Sequence, residues 1–230
     1  MAIITKLDRE FTGPNAGKLE RIVTSVPTPG YDARFLATDL SLGNTTQWNS
    51  HIGGEHYSTN GNGAGIQARD VSGRREVHFA GTEGFLYRSA GGGTISKPQP
   101  LTVMALIKVA ATPSTTANIF DASAAQVRVS AAGKLEMYRA GAGAVVVPTA
   151  IPLGAYFVAT IIFNGANSLI GLNSDEVAAN VDPSVLTTKF HLSTAGYTAP
   201  YSMREMLIYP RALTAQETAA NRAALLNGAQ

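Results

Sequence analysis

The sequence predicts an all-β protein, an antiparallel two-sheet sandwich of the jelly-roll type with a short C-terminal helix and an extended N-terminal arm. Short apolar stretches recur along the chain, and no helical pattern lies between them. Turn-forming residues separate these stretches, and the chain of 230 residues contains 23 glycines and 11 prolines. A single helical pattern occurs, at the C-terminus.

Composition and charge exclude several classes of protein. The chain has no cysteine, which excludes a disulfide scaffold, a thiol enzyme and a cysteine-ligated metal site. The formal net charge of +2 does not favour nucleic-acid binding, which usually requires a basic patch. No apolar run approaches the roughly 20 residues of a membrane helix, so we expect no membrane insertion. Charged residues near Met1 oppose a signal peptide, so we expect a protein made in a bacterial or eukaryotic cytoplasm, or a particle assembled there.

Residues 1–34 are predicted to form an arm separate from the domain at residues 35–230. The segments 13–15 and 27–30 are rich in proline and glycine, which favour turns and extended backbone. Such an arm is either a frayed tail or a strap that binds a partner. The partner-binding candidates are Phe11, Pro14, Ile22, Val26, Pro27, Pro29 and Tyr31.

The strands are predicted from residue 75 onwards. Eleven of the glycines fall between residues 53 and 93, where strands at 75–79 and 85–87 flank the turn at 80–84. The segment Asn164-Gly165 is the strongest hairpin signal, because Asn-Gly supplies the unusual φ values of a tight turn. The remaining predicted strands are 101–109, 126–130, 135–139, 155–163, 169–172, 187–192 and 201–209.

The C-terminal helix is predicted over residues 215–226. Thr214 and Glu217 have the spacing of a capping box, in which each side chain accepts a hydrogen bond from the other residue's backbone N–H. Alanine and leucine then recur at helical spacing until Gly228.

Five motifs follow one another in an order typical of a known family. They are Trp48-Asn-Ser with Asn60-Gly-Asn-Gly, Val77-His-Phe-Ala-Gly, Pro100-Leu-Thr-Val-Met-Ala-Leu-Ile-Lys, the segment from Leu153 to Phe163-Asn-Gly, and Met203 to Glu217. This order resembles the concanavalin A-like, laminin G-like jelly-roll family, which includes lectins, pentraxins and phage virion proteins. Pro210 departs from the acidic or amide residue usual at its position. The resemblance spans residues 35–227 and implies the fold of the family. It does not imply one function, because the family includes glycan binders, hydrolases and structural modules.

No catalytic residues are predicted, and we expect a non-enzymatic protein. Hydrolases of the family resemble one another in closely spaced carboxylates on one strand, since acid and nucleophile must lie about 5 Å apart. The predicted strands carry only isolated acids, Glu76, Glu136 and Glu205. Asp175 and Glu176 are adjacent and would point to opposite faces of an extended strand.

No metal or other cofactor is predicted. His51, Glu55 and His56 are spaced one residue wider than the zinc motif His-x-x-Glu-His, and two intervening glycines oppose a helix. The family commonly binds calcium, for which Asp121 and Asp175 are the candidates, but their interpretation as surface turn residues is favoured.

A glycan site in such a fold usually needs an exposed aromatic ring beside polar side chains. Trp48, Tyr57, Tyr197 and Tyr201 lie in polar, loop-like contexts and are the candidates. The alternative for Trp48 is burial in the core, which is more common for tryptophan in a sandwich.

Two functional hypotheses remain. The leading hypothesis is a structural protein of a tailed-phage virion, a capsid decoration or tail-associated subunit. It would contact other virion proteins and copies of itself through the arm and the glycine-rich loops. On this hypothesis, deletion of residues 1–30 leaves a folded monomer that does not join the particle. The alternative is a lectin-like module that recognises cell-surface glycans.

Overall fold

The computed structural model describes residues 26–59, 63–81, 84–89, 91–93, 95–123, 125–139, 142–182, 190–193 and 200–229. Within these residues the fold is an all-β antiparallel sandwich with one α-helix at the C-terminus, as predicted. This helix is too short or too polar to span a membrane.

Seventeen strands and one helix make up the described fold. The strands of the first half are β1 (Ala33–Leu36), β2 (Gly43–Asn44), β3 (Gln47–Asn49), β4 (His56–Ser58), β5 (Ile66–Val71), β6 (Arg74–Phe79), β7 (Leu86–Arg88) and β8 (Leu101–Val109). Those of the second half are β9 (Ala117–Asp121), β10 (Gln126–Val129), β11 (Lys134–Arg139), β12 (Gly143–Ala150), β13 (Tyr156–Phe163), β14 (Ser168–Leu172), β15 (Asp175–Ala179), β16 (His191–Leu192) and β17 (Tyr201–Tyr209). Helix α1 is Ala215–Ala229.

The larger sheet has nine strands in the order β15-β14-β13-β8-β17-β6-β5-β2, with β1 paired to β17. Strand β17 lies at its centre, since it pairs along its length with β8 on one side and with β6 and then β1 on the other. The pairing of β17 with β8 shifts register between Met203 and Glu205, which marks a bulge at Arg204.

The second layer combines two smaller sheets. Its five-stranded part has the order β12-β11-β10-β9-β16, and its three-stranded part has the order β3-β4-β7. The two parts meet at Phe85 and Leu192, whose backbones exchange two hydrogen bonds of 2.9 Å. The layer is therefore nearly continuous.

The core lies between the layers, and its composition follows from the alternation of side chains along strands. On β8, Val103, Ala105, Ile107 and Val109 belong to the main core cluster. The intervening Met104 and Leu106 point to the opposite face, where they pack in a second cluster with residues of α1. The larger sheet is therefore apolar on both faces where the helix covers it.

One sequence-predicted turn and one sequence-predicted helix cap are confirmed. The chain turns between β13 and β14 at residues 164–167, where Gly165 has a φ of +57°. At α1, the Thr214 backbone N–H donates to Glu217 Oε2 at 2.9 Å, and the Glu217 backbone N–H donates to Thr214 Oγ1 at 3.3 Å. The helix continues through Gly228 to Ala229, so the predicted end at residue 226 is too early.

The described part of the predicted arm packs against the domain. The predicted boundary between residues 34 and 35 falls inside β1. Val26 and Tyr31 pack against the second apolar cluster, whereas Pro27 and Pro29 are exposed. Thr28 is held through its backbone, since its N–H donates to Asn221 Oδ1 and its carbonyl accepts from the Tyr209 hydroxyl. The candidates Phe11, Pro14 and Ile22 lie outside the described residues.

Candidate functional site on the larger sheet

The expectation that the candidate aromatic residues are exposed is wrong for three of the four. Trp48 and Tyr57 are fully buried and pack around Phe35, with ring centroids 5.6 and 4.8 Å from it. Tyr201 is buried and stacks on Phe79 at 4.5 Å. These rings fill the interior of the sandwich and present no face to a ligand. Removal of their apolar surface from water stabilises the fold. Tyr197 lies outside the described residues.

His51 and Glu55, which were not predicted to bind metal, contact other side chains. His51 Nδ1 lies 3.4 Å from Asp39 Oδ2, and Glu55 Oε1 accepts a 2.9 Å hydrogen bond from Lys97. Among the described residues, no three His, Asp or Glu side chains are grouped as a metal site would require. Of the calcium candidates, Asp121 accepts a hydrogen bond from the Ser123 backbone N–H and Asp175 accepts one from Thr149.

Seven polar side chains converge on the outer face of the larger sheet, beside the part that α1 covers. We call this surface the polar face. Its members come from the five neighbouring strands β5, β6, β17, β8 and β13, and they are Arg69, Glu76, His78, Ser202, Arg204, Lys108 and Tyr156.

Strand register places these side chains side by side. Ser202 lies directly opposite His78 on one side and Lys108 on the other, and Lys108 lies opposite Tyr156. Arg69 lies opposite Glu76 in the next row. Residues directly opposite on one face of a sheet have Cβ atoms about 5 Å apart, so their side chains contact one another.

The Glu76 carboxylate is at the centre of the polar face and has no exposed surface. Oε1 accepts hydrogen bonds of 2.8 Å from both Arg69 Nε and Ser202 Oγ. Oε2 accepts a 2.7 Å hydrogen bond from Lys108 Nζ and another from the Tyr156 hydroxyl. Burial by itself raises the pKa of Glu76, but these donors outweigh it and lower the pKa to about 2. The carboxylate is therefore ionised at neutral pH.

Tyr156 lies against two cations. The Arg204 guanidinium is 4.2 Å and the Lys108 ammonium 4.9 Å from the centroid of its ring. Both distances are within the range of cation–π attraction. Burial and the hydrogen bond to Glu76 raise the pKa of the Tyr156 hydroxyl, which stays protonated at neutral pH.

The cations of the polar face lie nearer to solvent than its carboxylate. The Arg69 side chain is 40% exposed and that of Lys108 is 15% exposed, against 0% for Glu76. Arg204 and Tyr156 are half-buried. A ligand that approaches this surface therefore meets guanidinium and ammonium groups and the ring of a tyrosine.

The outer face of the five-stranded sheet provides a comparison. Arg128 Nη2 lies 2.6 Å from Glu136 Oε1, and the Arg128 guanidinium lies 4.0 Å from the centroid of the Tyr138 ring. We call this trio the Arg128 face. Like the polar face, it combines arginine, tyrosine and glutamate. Its single cation is paired with a single carboxylate, whereas the polar face has three cations and one carboxylate.

The sequence predicts only part of the polar face. It marks Glu76 as an isolated acid and places His78 within the predicted strand at 75–79, with no sign that the two belong to a site. Lys108 carried a usable signal, since it is the only charged residue in the apolar strand β8. No local sequence signal predicts that β5, β6 and β17 lie side by side, because segments distant in the chain become neighbours only through the strand order of the sheet.

Comparisons with known proteins identify similar folds but no family. No family model and no curated protein sequence matches the chain. A sialidase of Trypanosoma rangeli, solved in complex with sialic acid, superposes with a TM-score of 0.64 at 13% identity. The match covers 88% of this chain and 34% of the sialidase, so the chain spans about a third of that protein's length.

Two further solved structures are similar. Domain 4 of AbnA, a GH43 extracellular arabinanase from Geobacillus stearothermophilus in complex with arabinotriose, has a TM-score of 0.61 at 14% identity. That match covers 84% of this chain and 98% of the domain. The binding domain of Paraclostridial Mosquitocidal Protein 1 has a TM-score of 0.58 at 11% identity, and the match covers 85% of this chain and 52% of that chain. At such identities the likeness shows the fold alone.

Proposed function

We propose that this protein is a glycan-binding module and that the polar face is its binding surface. The observation that carries the proposal is the convergence of charged and hydroxyl side chains with a half-buried tyrosine on one face of the larger sheet. Sugars present hydroxyl groups and apolar C–H patches, and such a surface offers donors, acceptors and an aromatic ring to match them.

The similar structures support the same class of ligand. The sialidase was solved with sialic acid and the arabinanase domain with arabinotriose, and the third structure is named as a binding domain. These ligands belong to those proteins. Their shared carbohydrate chemistry favours glycan recognition over a virion role, for which none of these three comparisons offers support. The virion hypothesis stays a prediction.

We further propose that the module binds without catalysis. A general acid must hold a proton near its working pH, whereas the pKa of Glu76 is lowered to about 2. A nucleophilic tyrosine needs a lowered pKa, and that of Tyr156 is raised. Glu76 and Tyr156 are therefore suited to hold the polar face in shape rather than to exchange protons with a substrate.

The test is a matched pair of tyrosine substitutions. We expect Tyr156→Ala to weaken binding to a panel of immobilised polysaccharides at least about tenfold, because an aromatic ring and its cation contacts are lost together. Tyr138→Ala, which removes the corresponding ring from the Arg128 face, is expected to leave binding unchanged. Equal binding by both variants at unchanged melting temperature would place the site elsewhere, and absence of binding by the unmodified protein would overturn the proposal.

A further inference from the structure

The polar face carries more positive than negative charge. Among the described residues it combines three cations, Arg69, Lys108 and Arg204, with the single carboxylate of Glu76. His78 does not change this balance at neutral pH, because burial and the nearby Arg69 and Lys108 lower its pKa. Among these side chains the cations therefore outnumber the carboxylates.

An adjacent charged pair on the same sheet adds nothing to this excess. Arg34 and Glu205 lie 2.7 Å apart and are almost completely buried. The two charges neutralise each other. Arg204, the residue before Glu205, lies at the bulge of β17 and adds its charge to the polar face instead.

The excess charge is placed where an anion can reach it. Glu76 bonds to Arg69 and Lys108, whereas Arg204 lies over the Tyr156 ring. The carboxylate therefore reduces the repulsion between Arg69 and Lys108 and leaves each of them with further N–H donors. A guanidinium has five N–H groups, and Arg69 directs its Nε and Nη2 to Glu76 and Ser202 while 40% of its side chain is exposed. The ammonium of Lys108 has three N–H groups, of which one bonds to Glu76.

We propose that the polar face selects glycans that carry carboxylate or sulfate groups over neutral glycans. This inference rests on the proposed function of the same surface. A guanidinium binds either anion through two parallel hydrogen bonds. Tyr156 would then contact the sugar ring that bears the anion, while Arg69 and Arg204 contact the anion itself.

The Arg128 face supplies the control for this inference. Arg128 also stacks on a tyrosine and pairs with a glutamate, but its charge is matched by Glu136. Arg128→Gln changes the net charge of the protein by the same amount as Arg204→Gln. A difference between these two variants therefore reports the local site rather than the overall charge.

The experiment titrates the 230-residue protein with two matched pairs of polymers. One pair is polygalacturonate and its carboxyl-reduced form, and the other is dextran sulfate and dextran. We expect the charged member of at least one pair to bind about tenfold or more tightly than the neutral member, with affinity falling as salt rises. Tighter binding in the first pair identifies carboxylate as the ligand group, and tighter binding in the second identifies sulfate.

The variants complete the test. We expect Arg204→Gln and Arg69→Gln each to weaken binding of the charged polymer about fivefold or more, and Arg128→Gln to leave it unchanged. Arg204→Gln removes a charge without removing a hydrogen-bond donor to Glu76. It therefore tests the role of charge even if Arg69→Gln disturbs the packing of the polar face. Near-ultraviolet circular dichroism and the melting temperature verify that each variant is folded.

The unfavourable outcomes are distinguishable. Equal, Tyr156-dependent binding of charged and neutral polymers would overturn the charge selectivity and leave the glycan-binding function intact. Equal losses from Arg204→Gln and Arg128→Gln would also overturn it, since the effect would then come from net charge. Absence of binding to all four polymers and to the polysaccharide panel would overturn both proposals.

Discussion

At the scale of single residues, the environment of Glu76 determines what its carboxylate does. On sequence grounds it was one acid among several with no partner. In the folded chain it accepts hydrogen bonds from Arg69, Lys108, Tyr156 and Ser202 while its side chain has no exposure. A buried charge is tolerated only when it is paired and hydrogen-bonded, which explains why so many donors surround one carboxylate.

Glu76 is expected to stabilise the fold in a pH-dependent manner. Its pKa is about 2 in the folded state against an ordinary 4.5, so the stabilisation is present above pH 4.5 and is lost as the pH falls from 4.5 towards 2. Glu76→Gln should lower the free energy of unfolding at pH 7 by about 3 kcal/mol, because Lys108 and Arg69 lose their counter-charge. Glu76→Gln should also reduce the acid limb of the stability curve, which is the fall in the free energy of unfolding as the pH drops below 4.5. Urea unfolding at a series of pH values measures both effects.

The control for this prediction is Glu176→Gln, which removes a partly exposed ion pair with Arg222. We expect it to change stability by less than about 1 kcal/mol and to keep the acid limb. A Glu76→Gln variant as stable as the unmodified protein, with the same acid limb, would contradict the role given to Glu76.

At the scale of elements, the second layer depends on one close contact between two chain segments. Gly84 precedes the Phe85–Leu192 bridge that joins the three-stranded and five-stranded sheets. A Cβ atom at Gly84 would lie 2.0 Å from the Ser193 carbonyl oxygen and 2.6 Å from that of Leu192. Only glycine fits there without movement of backbone, because the approaching atoms are themselves backbone.

Gly84→Ala is therefore expected to destabilise the protein by about 2 kcal/mol, since the bridge must open to accommodate the methyl group. Gly91→Ala is the matched control, because a Cβ atom there meets nothing within 4 Å. Hydrogen exchange of the Phe85 and Leu192 amides should accelerate in the Gly84 variant alone. Unchanged protection of these amides would show that the layer does not depend on this contact.

At the scale of the whole molecule, the outer face of the larger sheet is divided between a covered part and an open part. Helix α1 and residues 26–31 cover Met104, Leu106 and Leu207. The polar face lies beyond this cover. Helix α1 and residues 26–31 thus bury apolar surface that the sandwich itself leaves outside.

This division changes the prediction for deletion of the N-terminus. Deletion of residues 1–30 removes Val26 from the second cluster and the two backbone hydrogen bonds of Thr28, whereas deletion of residues 1–25 leaves them in place. We expect the longer deletion to lower the melting temperature by several degrees more than the shorter one, by loss of apolar burial. Equal melting temperatures would show that residues 26–30 contribute nothing to the fold.

Patterns within the amino-acid sequence were enough to predict the class of the fold and several of its local features. The hairpin at Asn164-Gly165, the capping box of Thr214 and Glu217 and the apolar strand at 101–109 were all predictable, because each depends on residues close together in the chain. Strand β12 was missed. Seven of its eight residues are wholly or partly exposed at a sheet edge, so the alternation that marks a strand is weak there.

Which residues form a site depends on contacts between distant parts of the chain. Trp48, Tyr57 and Tyr201 looked suited to a ligand, yet packing between the layers buries them. Glu76, Lys108 and Tyr156 looked unrelated, yet strand order places β6, β8 and β13 within four neighbouring strands of one sheet. The physical reason is that burial and charge pairing depend on contacts between distant segments, whereas turns, caps and alternation depend on neighbours in the chain.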